Sequence, residues 1–214
     1  MEDGVKALVS VCIPTLGREL SLERCLKAIE DNTKDWPHEV VVEQDVFGPG
    51  RRGCPRTLAA AVERATGAYI AFIGNDCLVQ PGWLRIAMEC MLKTFPDGVG
   101  LVALNDGLWN GTLATHWVAS KALLPMIGEE FFPTCYFHVA CDNELTARCK
   151  QLGRFSYAEG ARVFHEHPCQ ADGWHSELVD DVFQLAWRQK NVAHDRALLA
   201  ERAERMGFAP WLPK

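Results

Sequence analysis

In the first half of the chain, short apolar runs alternate with stretches whose apolar residues recur every three to four positions. KALVSVCIP (Lys6 to Pro14), HEVVVEQD (His38 to Asp45), AYIAFIG (Ala68 to Gly74) and GVGLVAL (Gly98 to Leu104) read as buried strands. Between them, SLERCLKAIEDN places Leu22, Cys25, Leu26 and Ile29 on one helical face, with Ser21 as its N-cap. RTLAAAVERATG reads as a second helix ending near Gly67, and GWLRIAMECMLKTF as a third, behind Pro81. Strand and helix in strict alternation predict an α/β domain with a parallel sheet covered by helices on both faces.

That architecture directs attention to the strand ends, because open α/β sheets bind ligands beyond the carboxyl ends of their strands. Three of those ends carry polar residues: Pro14-Thr15, Glu43-Gln44-Asp45 and Asn75-Asp76. An acid after a buried strand is most often an Asx-turn or a helix cap. The alternative for Asp76 is a carboxylate that holds a hard divalent ion against a phosphate. VFGPGRRGCP is a Gly/Pro loop bearing Arg51 and Arg52, with Arg56 just beyond it. These arginines belong either to a solvated loop or to a diphosphate contact at a helix N-terminus.

The second half is less regular. NDGLWNGTLATHWVASKALLPMIG mixes loop, strand and a short helix; EEFFPTCYFHVA is aromatic; DNELTARCKQLG is helical; ARVFHEHP is a short strand broken by Pro168. Asp142 sits where a helix N-cap would sit, with Glu144 as an ordinary first-turn acid, or else it is a general base at the mouth of a site. His165 and His167 share one strand face. A structural zinc cluster drawn from Cys135, His138, Cys141, His165, His167 and Cys169 is a rival reading, although the spacings are not of the CxxC type. From Ser176 to Met206 the chain reads as mostly helical and charged.

Composition sets outer bounds. The chain has 214 residues, is 48% hydrophobic and carries a net charge of −6, which argues against a broad electrostatic grip on nucleic acid. Its nine cysteines are odd in number and irregularly spaced, as in a protein kept reduced, so a cytoplasmic location is expected. The N-terminus lacks the apolar core of a secretory signal, and no run is long enough for a membrane span, so no membrane partner is expected.

In order along the chain, VSVCIPTLGRELSLERCLKAI, EVVVEQD and GCPRTLAAAVERATGAYIAFIGNDCLVQPGWL resemble the nucleotide-binding half of family 2 glycosyltransferases of the GT-A fold. CDNELTARCKQLGRFSYAEGARVFHEHP resembles that family's later motif, an acidic pair opening a helix followed by a strand and a histidine. The resemblance implies a GT-A mixed sheet over residues 1–175, with a nucleotide-sugar half (1–104), an acceptor and metal half (105–175), and a helical C-terminal extension (176–214). It implies a nucleotide-diphosphate sugar donor, a UDP-sugar in the first instance, contacted by Pro14, Thr15, Glu43, Asp45, Arg56, Asn75 and Asp76. Mn²⁺ or Mg²⁺ would be held by Asp76 and His165, and Asp142 would be the base in an inverting transfer. Two positions depart from the family pattern: Gly74 replaces the first acid of Asp-x-Asp, and Cys141 the first acid of the later pair.

The acceptor would lie against the irregular half, with Trp109, His116 and Trp117 offered as its contacts. Similarity to small bacteriophage glycosyltransferase-like proteins makes a modified base in DNA one acceptor class. Rival functions are a non-catalytic or zinc-stabilised binding module, and nucleotidyl transfer, for which PTLGREL is a poor match to a Gly-rich, Lys-bearing loop.

Overall fold

The computed structural model describes residues 7–170 and 173–209. The reading of the first six residues as no secretory signal, and of Lys6 as the start of a strand, lies outside them, as do residues 210–214 of the proposed extension. Seven strands form one sheet: β1 (Val9–Thr15), β2 (His38–Gln44), β3 (Tyr69–Phe72), β4 (Cys77–Val79), β5 (Leu101–Asn105), β6 (Trp117–Ser120) and β7 (Phe155–His165). Their order is β2-β1-β3-β6-β5-β7-β4. β1 pairs parallel with β2 and β3, and β5 parallel with β7. β6 runs antiparallel between β3 and β5, so the sheet is mixed rather than wholly parallel. A small hairpin, β8 (Cys169–Gln170) with β9 (Gly173–Trp174), stands apart.

Helices cover both faces. α1 (Glu19–Asn32), beside β4, and α3 (Trp83–Thr94), beside β7 and β5, bury Cys25, Ile29, Trp83, Leu84 and Met88 in one cluster with Val9, Val11 and Ile13 of β1. On the opposite face, α2 (Cys54–Arg64), α4 (Cys141–Gln151) and α6 (Gln189–Met206) bury Leu58, Leu145 and Leu199 with Cys12 and Trp117. The two clusters follow from period-two alternation along β1, where successive side chains point to opposite faces. A short helix, α5 (Asp181–Ala186), precedes α6. Among the described residues, no helix is long and apolar enough to cross a membrane.

Several expectations need correction. β2 is the edge strand, not a fully buried one; Val40 is exposed because nothing pairs on its outer side among the described residues. β7 has 11 residues, not the short piece expected, because it pairs with β5 along one stretch and with β4 along another. α1 starts at Glu19 behind Arg18 in left-handed conformation, so Ser21 is not its cap. Ala140, also left-handed, precedes α4, so Asp142 lies in the first turn rather than at the cap. Glu144 is no ordinary first-turn acid. It is fully buried and accepts hydrogen bonds from Tyr136, from Arg148 one turn on, and from both Arg202 Nε and Nη2 of α6.

Candidate active site

The strand ends converge on one cavity of about 320 Å³, walled by β1, β3, the lead-in to β6, the N-terminus of α4 and the end of β7. That volume lies at the lower end of the usual range for small-molecule sites. Pro14, Thr15, Asp45, Asn75, Asp76, Trp109, His116, Asp142 and His165 all line it. α5 closes one side with Val182, Phe183 and Ala186, and Trp187 follows them. The C-terminal segment therefore has two parts: α5 covers the cavity, and α6 packs into the core through Leu199 and Ala203.

The floor is held by a chain of hydrogen bonds. Asn75 Nδ2 donates to Thr15 Oγ1 at 2.7 Å, and Thr15 donates to the Gly17 carbonyl. Asp45, buried after β2, accepts from the backbone N–H groups of Val46, Arg52 and Gly53. It thereby folds the Gly/Pro loop back over the strand end. A side chain at Gly53 would meet the Phe137 carbonyl at 2.3 Å, and its φ of +81° favours glycine, so this approach to α2 requires it.

That loop sorts the three arginines. Arg51 lines the cavity, and its buried Nε has no hydrogen-bond partner among the described residues. Arg52 is taken up by Glu43 and the Gln44 carbonyl, and Arg56 donates to the Thr134 carbonyl. Glu43 is bridged by Arg52 and Arg64 and does not line the cavity. Glu43 and Arg56, expected as donor contacts, thus hold structure, and Arg51 is the loop arginine that reaches the site. Trp117, expected at the acceptor, is wholly buried on β6 against Phe131, Phe132 and Phe72, because β6 is a central strand. Trp109 remains at the rim, half-buried.

At one end of the cavity, Asp76 faces cations. Arg18 Nη1 donates to its Oδ2 at 2.5 Å, and His165 Nε2 lies 3.5 Å from its Oδ1. Burial disfavours the carboxylate, but His165 and Arg18 overcome it and hold Asp76 well below the usual carboxylate range. Arg18 also grips Asp180, just before α5, with Nε and Nη2 at 2.6 and 2.8 Å. Burial, then the neighbouring His165, lowers the His116 imidazole, so it is neutral at pH 7.

At the other end, no cation among the described residues pairs with Asp142. Its Oδ1 accepts a local bond, from the Asn143 N–H. Burial pushes it up to about 6, further raised by Asp106 and opposed by that backbone bond. Two of the four left-handed non-glycine residues described, Arg18 and Ala140, line this cavity, which places backbone strain at the site.

The donor chemistry at the Asp76 end fits a divalent cation. Ligand atoms of Cys77, His116 and His165 lie within 4.8 Å of one another, beside the Asp76 carboxylate. Cys77 and His165 are direct cross-strand partners in the β4–β7 ladder, which is why they meet. Gly74 leaves the space between them open: a Cβ there would stand 2.7 Å from Asp76 Oδ1 and 3.3 Å from both Cys77 Sγ and His116 Nε2. The rival zinc cluster does not assemble. Cys135 and Cys169 are exposed, and the gathered donors among the described residues share only His165 with it. Sequence reasoning passed over Cys77 and Arg18, and it did not separate the part of the C-terminal segment that covers the cavity from the part that joins the core. The adjacency of Cys77 to Asp76 was the available signal for the first.

Comparison with known proteins agrees with this geometry. Residues 44–126 match the sequence model of Glycosyl transferase family 2. Over 161 residues the chain is 26% identical to the glucosyl-dolichyl phosphate glucuronosyltransferase of Haloferax volcanii, covering 65% of this chain and 46% of that protein. The chain thus spans about half the length of that curated relative. The mannosyltransferase PcManGT of Pyrobaculum calidifontis, solved with GDP-Man and Mn²⁺, superposes with a TM-score of 0.63 at 18% identity, over 92% of this chain and 65% of that one. Glucosyl-3-phosphoglycerate synthase of Mycobacterium tuberculosis, solved with Mn²⁺, UDP and glucosyl-3-phosphoglycerate, gives 0.60 at 16% identity, over 95% of this chain and 81% of that one. S. aureus TarS with UDP-GlcNAc gives 0.60 at 17%, over 90% and 70%. The likeness to these solved structures shows that the chain has the GT-A fold.

Proposed function

We propose that the cavity binds a nucleotide-diphosphate sugar beside a divalent cation, and that the chain transfers the sugar to a hydroxyl acceptor with inversion. The observation that carries this reading is the pair of carboxylates on one cavity driven in opposite directions: Asp76 held ionised by cations, Asp142 raised by burial. Such divergence assigns different tasks to like groups.

The nucleotide is assigned to the β1 and β2 ends, against Pro14, Thr15, Asp45 and Asn75, with UDP as the first nucleotide to test. Arg51, with its idle buried Nε, is assigned to the diphosphate, where a planar guanidinium matches phosphate oxygens. A cation at Asp76 and His165 would neutralise charge on the leaving diphosphate. Arg18 adds fixed positive charge beside it while keeping Asp76 Oδ2 occupied. Asp142, deprotonated above about pH 6, accepts the acceptor hydroxyl's proton as the new glycosidic bond forms. Trp109 at the rim is assigned to the acceptor.

Calorimetric titration with UDP-sugars and GDP-mannose, with and without added divalent metal, tests the reading. The expected result is metal-dependent binding that Asp76→Ala abolishes. No binding of any nucleotide under either condition would overturn it.

A further inference from the structure

The donor set at Gly74 differs in kind from a pair of carboxylates. We propose that this chain's cation centre is built from the Cys77 thiolate and the His116 and His165 imidazoles, with Asp76 as its carboxylate, and that it selects Zn²⁺-class ions over Mn²⁺ and Mg²⁺. The ion's role rests on the donor-site reading above. Its identity rests on the ligands alone.

Three independent features support it. The first is distance. Cys77 Sγ stands 3.0 Å from His116 Nε2 and 3.8 Å from Asp76 Oδ1, and His165 Nε2 stands 3.5 Å from that same oxygen. Ligand atoms around a tetrahedral zinc with bonds of about 2.0–2.3 Å are roughly 3.3–3.8 Å apart. These three separations therefore fall in that range or within about 0.3 Å of it.

The second feature is rigidity. Cys77 and His165 are paired across β4 and β7, the Glu166 N–H donates to the Asp76 carbonyl, and the His116 carbonyl accepts from Leu104 N–H of β5. Cys77 and His165, seated on paired strands, keep their spacing whether or not an ion is present. Cys77 and His116 are buried, so neither is an adaptable surface group.

The third feature is chemical type. Thiolate and imidazole favour zinc and cobalt, whereas Mn²⁺ and Mg²⁺ favour carboxylate, carbonyl and water. With glycine at 74, the carboxylate donors of this wall reduce to Asp76, and the sulfur and nitrogen donors outnumber it. The bare alternative is a buried Cys77–His116 hydrogen bond that holds no ion.

Cobalt spectroscopy separates the two. The metal-stripped chain is titrated with Co²⁺ while near-ultraviolet and visible absorption is recorded. The expected result is one equivalent bound, with a thiolate-to-cobalt charge-transfer band and intense tetrahedral d–d bands. Zn²⁺ should displace the cobalt stoichiometrically, and Mn²⁺ should fail to do so even in ~1,000-fold excess. Cys77→Ser should lose the charge-transfer band and weaken cobalt binding by ~100-fold or more, beyond the usual effect of an outer-shell substitution.

An intact fold with no thiolate band in the wild-type chain would overturn the proposal, as would displacement by Mn²⁺ as readily as by Zn²⁺. Both readouts need only the wild-type protein, so a poorly folding Cys77→Ser leaves the test decisive. A thiolate-bound cobalt centre without nucleotide binding supports this centre and overturns the donor reading. Mn²⁺-dependent nucleotide binding without a thiolate band does the reverse.

Discussion

Asp76 and Asp142 face one cavity from different walls, and their surroundings contrast sharply. Asp76 follows the end of β3 and meets Arg18 and His165 at 2.5 and 3.5 Å. Asp142 sits in the first turn of α4 with a local hydrogen bond and burial working against its charge. The comparison teaches that burial alone does not decide a carboxylate's state; what decides it is whether cations arrive with it. In the proposed function, one wall would take a positive ion and a phosphate, the other a proton.

The largest expected effect comes from removing the proposed proton acceptor. Asp142→Asn should lower turnover by ~10²–10⁴-fold while calorimetric affinity for the donor stays within a factor of a few. Unchanged turnover would dissolve the contrast between the two acids. A pH series sharpens the same point. Because Asp142 works only when ionised, kcat/KM should be level above about pH 6 and fall tenfold per unit below it. Asp76, held below the usual range, should add no break in that interval.

Stability offers a smaller and opposite signal. A carboxyl whose folded value is raised to about 6 favours the folded state while protonated, and that contribution is lost as pH rises from the unfolded value through 6. Asp142→Asn should therefore raise stability at pH 7.5 by on the order of 2 kcal/mol and leave it nearly unchanged near pH 3, as read by denaturant melts. The smallest effect is expected at Asp180, whose pair with Arg18 is nearly half exposed on the acid's side. Asp180→Asn, which keeps the cap bond from the Phe183 N–H, should change stability by no more than ~1 kcal/mol, because exposed ion pairs are screened. A larger loss would show that α5 is clamped through Arg18, tying the Asp76 wall to the C-terminal segment.

Much of this was legible in the sequence. The apolar runs and helical spacing located β1, β2, β3, β5 and all three flanking helices of the first half, because period and turn chemistry are local signals. The strand-end polar residues Thr15, Asp45, Asn75 and Asp76 came with them. What escaped is what depends on pairing. β4 is three residues long and exists through its ladder with β7, so no local pattern announces it. Trp117 read as a rim aromatic because nothing nearby says that β6 is central. Helix position misleads in the same way for Glu144, whose partners include Tyr136 and the distant Arg202 and not merely the dipole of its own turn.

The Glu144–Arg202 contact also bears on how the chain reaches its fold. A carboxylate with no solvent exposure receives two hydrogen bonds from a guanidinium 58 positions later. Within α4 that charge has Arg148 as its partner, but its two further bonds wait for α6, and α4 also holds Asp142. A chain emerging from the ribosome can close its first strands early, through neighbours near in sequence. It completes the surroundings of Glu144 only when Arg202 arrives. Long-range closure of this kind is slow and exposes apolar surface meanwhile. The helix that carries Asp142 thus depends on a contact with a far part of the chain, and fragments ending before α6 should collect as aggregates.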